Sequence, residues 1–263
     1  SYAAHGVPMI PFYIFYSIFG FQRVGDLLWA AGDAGARGFL LGATAGRTTL
    51  SGEGLQHEDG HSHVLASTVP NCVSYDPTFG YEVVVIIQDG MRRMYENNEN
   101  VYYYVTVMNE NYTQPEMPKG AEEGIRKGMY LLKQIDASKK SARVQLMGSG
   151  TILREVIAAA ELLQKDFDIA SDIWSATSFT ELGRDGMACE RWNRMHPEAA
   201  PRLPFVAQCL EKRSGPVIAA SDYMRAFPEQ IRSNISQKFV TLGTDGFGRS
   251  DTRAILREFF EVN

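Results

Sequence analysis

Cysteine is scarce in this sequence of 263 residues, with only Cys72, Cys189 and Cys209. The number is odd, the spacing is wide and no Cys-x-x-Cys occurs, which excludes a disulfide scaffold and a paired-thiolate metal site. Reduced thiols in a cytoplasmic protein are expected instead. Long apolar runs are missing too: no stretch reaches the roughly 18 residues that a bilayer-spanning helix requires. Positive charge is not in excess. Lys and Arg total 26 against 31 Asp and Glu, a net charge of -5. That argues against a general nucleic-acid binder, because phosphate binding requires a basic surface. There are no internal repeats and no low-complexity tracts. No secretory leader pattern precedes the first apolar segment, and the start at Ser1 reads as that of a piece of a longer chain.

What remains is an ordinary globular composition, 44% hydrophobic and 22% charged, in a length that suits one large domain or two moderate ones. Strand-like and helix-like segments alternate. Residues 8–15, 38–43, 72–75 and 101–107 read as strands, the last with three consecutive tyrosines, Tyr102 to Tyr104. Residues 17–34 and 79–95 read as helices, and 120–132 as a helix or a connection. Residues 136–142 form a small polar stretch and the best division in the chain, giving expected domains 1–137 and 138–263. Beyond it, strands are expected at 144–147, 172–176, 216–220 and 239–242. A helix runs to about Lys165, and a final helix follows a cap at Ser250 or Asp251. This order predicts an α/β protein of two doubly wound, mostly parallel sheets. The turn Gly148-Ser149-Gly150 follows a strand and opens a helix. It lacks the third glycine of a dinucleotide fingerprint, so it reads first as turn chemistry and second as a phosphate cradle.

The chemistry concentrates in residues 52–63, where three histidines and three carboxylates fall within twelve positions. Such groups need solvent or partners. His57-Glu58-x-x-His61 matches the zinc-protease pattern, which would make Glu58 a general base beside two zinc ligands. That chemistry requires a helix carrying His57 and His61 on one face. Asp59 and Gly60 between them, with Gly52 and Gly54 before them, read instead as an irregular loop. A zinc hydrolase stays as a remote alternative, and no metal ligand is assigned.

Four longer segments carry a resemblance. They are Pro11-Phe-Tyr-Ile-Phe-Tyr-Ser-Ile-Phe-Gly-Phe-Gln-Arg23, Gly46-Arg-Thr-Thr-Leu-Ser-Gly-Glu-Gly-Leu-Gln-His-Glu-Asp-Gly-His-Ser-His63, Asn109-Glu-Asn-Tyr112 and Gly243-Thr-Asp-Gly-Phe-Gly-Arg-Ser-Asp251. Residues 178–182, 185–186 and 191–193 join them. Together they resemble the bacterial homodimeric pyruvate dehydrogenase E1 family, which is thiamine-diphosphate-dependent and related to transketolase. The resemblance implies the later part of a pyrimidine-binding domain followed by most of a transketolase C-terminal-like domain. The family's diphosphate- and metal-binding domain has no counterpart here, nor has the acidic residue that bonds the aminopyrimidine.

By the same resemblance, Tyr16 and Phe19 are expected at the cofactor's aminopyrimidine ring, with core packing as the alternative. His57 is expected to handle protons, and Glu53 to hold its orientation. His61 and His63 are candidates for lining the substrate channel. The implied cofactors are thiamine diphosphate and Mg2+, the metal bound mainly by the missing domain. The implied partners are pyruvate, the lipoyl domain of the dihydrolipoyl acetyltransferase, and a second copy or a complementary chain. A non-catalytic dimerisation or assembly module is the other reading. The aromatic strand from Phe12 to Tyr16 would then pair with another chain.

Overall fold

The computed structural model describes residues 5–138 and 141–262. Its first sheet holds β1 (Phe12–Phe15), β2 (Phe39–Ala43), β3 (Cys72–Tyr75) and β4 (Tyr102–Val107) in the order β1-β2-β4-β3, all parallel. Parallel neighbours need crossovers, and α1 (Phe21–Asp33), α2 (Ser62–Ser67) and α3 (Gly80–Met91) supply them. The three tyrosines of β4 are buried, as expected of a strand covered on both faces. Their side chains alternate between those faces. Tyr102 donates to the carbonyl of Leu28 in α1 and Tyr104 to the hydroxyl of Ser62 in α2, while Tyr103 donates to Asp89 in α3. Each buried hydroxyl thereby finds a partner in the layer it faces. The outer edge strand β1 is different: Phe12, Tyr13 and Ile14 are 49%, 66% and 65% exposed.

The second sheet has the order β5-β7-β6-β8-β9, from β5 (Tyr130–Ile135), β6 (Arg143–Gly148), β7 (Ala170–Ser175), β8 (Val217–Ala220) and β9 (Phe239–Leu242). Only β5 runs antiparallel to its neighbour. The mostly parallel α/β reading therefore holds, but the details differ from the sequence pattern in three places. Residues 120–132 are not one element. Gly128, at φ 107°, ends α4 (Glu122–Lys127) and lets the chain turn directly into β5. The sheets consequently divide before the polar stretch at 136–142 rather than at it. The long helix α6 (Phe179–Met195) had no apolar stripe strong enough to find it. Its buried face uses Gly183 and Gly186 beside Phe179, Leu182 and Cys189. The third difference is the cap of α9 (Arg253–Phe259), which is Thr252, neither Ser250 nor Asp251. Helices α5 (Ile152–Phe167), α7 (Phe205–Leu210) and α8 (Ala226–Glu229) complete the layers. Among the described residues no helix is long and apolar enough to cross a membrane.

Two buried carboxylates join the sheets. Asp76, just after β3, accepts from Thr106 (2.7 Å) and from Ser149 (2.8 Å), and its carbonyl accepts the N–H of Gly150. The Gly148-Ser149-Gly150 turn is thus occupied by an acidic side chain, so the phosphate-cradle reading gives way to turn chemistry. Asp222, beyond β8, accepts the backbone N–H groups of Arg47 (2.8 Å) and Thr48 (3.1 Å). Burial pushes the Asp76 carboxyl up to about 7 and Asp222 up to about 6. Gly46 permits the second contact, because its φ is 80° and a Cβ there would overlap the Asp222 carboxylate. Replacing Asp222 with Ala strands two buried N–H donors, and the expected loss is about 2–4 kcal/mol in urea unfolding. Gly46→Ala should destabilise by a similar route. Wild-type midpoints for both would refute the assignment.

Candidate active site

Ligands of parallel sheets bind beyond the carboxyl ends of the strands. Both relevant loops lie there. Tyr16 follows β1 and Phe19 closes the 3-10 turn Ser17–Phe19. His57 closes the 3-10 turn Leu55–His57, in the connection after the neighbouring strand β2. The three rings meet. Ring centroids are 4.9 Å apart for Tyr16 and His57, 5.4 Å for Phe19 and His57, and 5.9 Å for Tyr16 and Phe19. The pattern is not core packing, because Tyr16 is 38% exposed and Phe19 and His57 are half-buried. The His57 Nδ1 atom, by contrast, is enclosed and has no hydrogen-bond partner among the described residues. A cation flanks the group, with the Arg23 guanidinium 5.3 Å from the Phe19 ring centre.

The other expected residues separate. Glu53 is half-buried and accepts the Ser51 N–H at 2.6 Å. Among the described residues neither a hydrogen bond nor an ion pair joins it to His57. His61 is half-buried at the start of α2, and burial together with the charge of Arg47 lowers its pKa. His63 has no exposed surface. Its Nε2 lies 2.9 Å from the Thr106 hydroxyl, and its ring stacks on Phe227 at 4.7 Å. Burial holds His63 in the neutral form. It is part of the core between the sheets, whereas His61 borders the loop.

The zinc reading fails on geometry. Glu58 is extended (φ -88°, ψ 106°), so the chain leaves helical geometry between His57 and His61. Asp59 then accepts the N–H groups of His61 and Ser62 and starts a new helix. No helix carries both histidines, and among the described residues no group of three His, Cys, Asp or Glu side chains could hold a metal.

Three residues with no role in the thiamine-diphosphate reading, Asp59, Arg47 and Glu58, support the loop from below. Asp59 accepts from Gln22 at 2.5 Å, tying the loop to the helix that follows Phe19. Arg47 is fully buried and donates to the carbonyls of Thr244 and Gly246. Glu58, 2% exposed, accepts the Arg249 N–H at 2.7 Å. All lie inside the motif segments quoted above, but nothing local distinguishes a supporting Gln or Arg from a solvated one.

Comparison with known proteins accounts for both halves. The family model of the pyruvate dehydrogenase E1 component middle domain matches residues 1–115. That of the transketolase-like TK C-terminal domain matches residues 128–263. The chain is 64% identical to the pyruvate dehydrogenase E1 component of Pseudomonas aeruginosa, over all of this chain and 30% of that protein. It is 60% identical to that of Escherichia coli K12, over all of this chain and 29% of that one.

The chain belongs to the pyruvate dehydrogenase E1 branch of the transketolase-like family. It spans about 30% of the length of the curated E1 relatives it matches. Among solved structures, the fold is shared with transketolase from Campylobacter jejuni (TM-score 0.70, 17% identity, 97% of this chain and 34% of that one). It is shared as well with a split-gene transketolase described as an inactive β4 tetramer (TM-score 0.66, 14% identity, 99% of this chain and 75% of that one).

In this E1-family chain the buried Glu58 has a measurable signature. Burial raises its pKa from 4.5 to about 7, partly offset by the Arg249 N–H. An acid with a raised folded-state pKa holds its proton more tightly when folded. Its stabilising contribution is complete below about pH 4.5 and is lost as pH rises through about 7. Between those limits the wild type should lose on the order of 1–3 kcal/mol relative to Glu58→Gln. Urea unfolding of both proteins across that range checks it, and parallel stability curves would sink the assignment.

Proposed function

We propose that this chain supplies one wall of the active site of a thiamine-diphosphate-dependent pyruvate dehydrogenase E1 component. The meeting of Tyr16, Phe19 and His57 carries the reading. Two aromatic rings that keep part of their surface exposed suit a flat heterocycle, and stacking adds of order 1 kcal/mol beyond area burial. The enclosed, unpartnered Nδ1 of His57 is a polar atom in need of a ligand or water. These residues fit the pyrimidine side of the cofactor. On this reading the metal is held mainly by the diphosphate-binding part of the enzyme.

Thiamine diphosphate, when bound, supplies the electron sink that lets carbon dioxide leave pyruvate. Tyr16 and Phe19 hold and orient the ring system. We assign to His57 the proton taken up by the leaving sulfur of the lipoyl disulfide as the two-carbon group left by decarboxylation gives the disulfide an electron pair, is thereby oxidised to acetyl, and becomes bonded to the other sulfur. Glu53 shapes the loop through Ser51, and through the loop it orients His57. His61 borders the approach. The partners are then pyruvate, the lipoyl domain of the dihydrolipoyl acetyltransferase, and a second copy or complementary chain that completes the site. The exposed edge of β1 favours a second reading, an assembly module with no chemistry of its own.

Native mass spectrometry of the protein from its source tests the choice. The expected result is an assembly holding thiamine diphosphate and magnesium together with a diphosphate-binding part. A lone chain or homodimer that takes up neither supports the assembly module. In the active assembly, His57→Gln should lower lipoyl acetylation by about 10²-fold or more with cofactor affinity little changed. Phe19→Ala should weaken cofactor binding roughly ten-fold. Full turnover in the His57 variant would remove it from the mechanism.

A further inference from the structure

The loop that carries His57 is gripped from the second sheet. Residues 243–252, which connect β9 to α9, and Arg253, the first residue of α9, contact it along its length. The Gly52 N–H donates to the Asp251 carbonyl at 3.0 Å. The Arg253 guanidinium donates twice to the Thr49 carbonyl, at 2.9 and 2.6 Å. The Ser250 hydroxyl reaches the Glu53 carbonyl at 3.3 Å. The Arg249 N–H donates to the Glu58 carboxylate at 2.7 Å, one residue from His57. This last contact is unlike the others. It is made by a side chain with 2% exposure, and Gly248 is pressed so close that a Cβ would overlap the Cβ of Glu58. On the far side, the Asp59–Gln22 bond fixes the same segment to the helix after Phe19. Glu58 is also the residue that the zinc pattern would have made a base, and it points away from such a role into the junction between the sheets.

We infer that Glu58 is a positioning residue for His57: its bond to the Arg249 N–H makes the β9–α9 loop of the second sheet the part that sets where the His57 ring stands against Tyr16 and Phe19. The inference rests on His57 as the working group of the site, but its test requires no turnover. A local anchor on a short turn acts by limiting the positions the next residue can take. Truncating Glu58 releases that turn while leaving the backbone contacts at Gly52 and Thr49 in place. A Gln side chain retains a carbonyl oxygen for the Arg249 N–H, so it should restore the placement, which a general loss of stability would not explain.

The experiment is nuclear magnetic resonance of the 263-residue chain with labelled histidine. The five ring signals are assigned through His57→Gln and its counterparts. In Glu58→Ala, the His57 ring signal should shift and broaden, and its amide, bonded to the Gly54 carbonyl, should exchange roughly ten-fold faster or more. The His196 signal should stay in place. Glu58→Gln should return both readouts to within about three-fold of wild type. An unmoved His57 signal with unchanged exchange in Glu58→Ala overturns the inference. So does failure of Glu58→Gln to restore them.

If Glu58→Ala does not fold, two measurements still decide. Gly248→Ala displaces Glu58 without removing it and should move the same signal. In the wild type, the amides of His57 and Arg249 should open together. A His57 amide that exchanges more than roughly ten-fold faster than that of Arg249 means that the clamp does not hold it. An active His57→Gln enzyme would sink the catalytic reading and leave this placement standing.

Discussion

Arg47 is fully buried between the two sheets, and a guanidinium in that position must be matched by acceptors or it costs several kcal/mol. Acceptors come from both sides, to all of the guanidinium but its Nε, which has no partner among the described residues. The Thr244 and Gly246 carbonyls accept from its guanidinium, and Asp222, Asp59, Glu58 and Asp245 supply negative charge that opposes the lowering of its pKa by burial. Its own N–H is taken by Asp222. One side chain therefore fixes the connection after β2 to the connection after β9. Gly60 is required next to it, because a Cβ there would overlap the guanidinium. Everything above this point, including the turn with His57, stands on that pairing.

The site itself is built by division of labour. The rings of Tyr16, Phe19 and His57 all come from the first sheet, from turns at the ends of two adjacent strands. The second sheet gives no side chain to that group. It contributes backbone partners at Thr244, Gly246, Arg249 and Asp251, with the Asp222 and Arg253 side chains, that hold the loop in place. Short turns without regular secondary structure keep their shape only when such partners are present. Tyr16 stays 38% exposed and Phe19 half-buried, and the edge of β1 beside them is exposed.

Much of this was legible in the chain. Strand–helix alternation gave the parallel architecture, and the tyrosines of β4 read correctly as a buried strand. The quoted motifs singled out Tyr16, Phe19 and His57, which the fold brings together. Other parts were hidden for physical reasons. The helix α6 uses glycines on its buried face, so its periodicity is too weak to read. The turn at Gly128 interrupts what looks like one segment. His61 and His63 are chemically alike and two residues apart, yet one borders the loop and the other stacks on Phe227 in the core.

The sequence by itself determined the fold class, which follows from strand–helix alternation, while its longer motifs carried the resemblance to the family and singled out the loop that we propose carries the chemistry. Tertiary structure alone decided that Glu53 is not paired with His57 and that His63 is enclosed. It likewise made Glu58 an anchor rather than a base. Burial and pairing are properties of what lies across a contact. Here the contact spans 191 residues between Glu58 and Arg249, and 175 between Arg47 and Asp222. No local pattern encodes a partner at that separation.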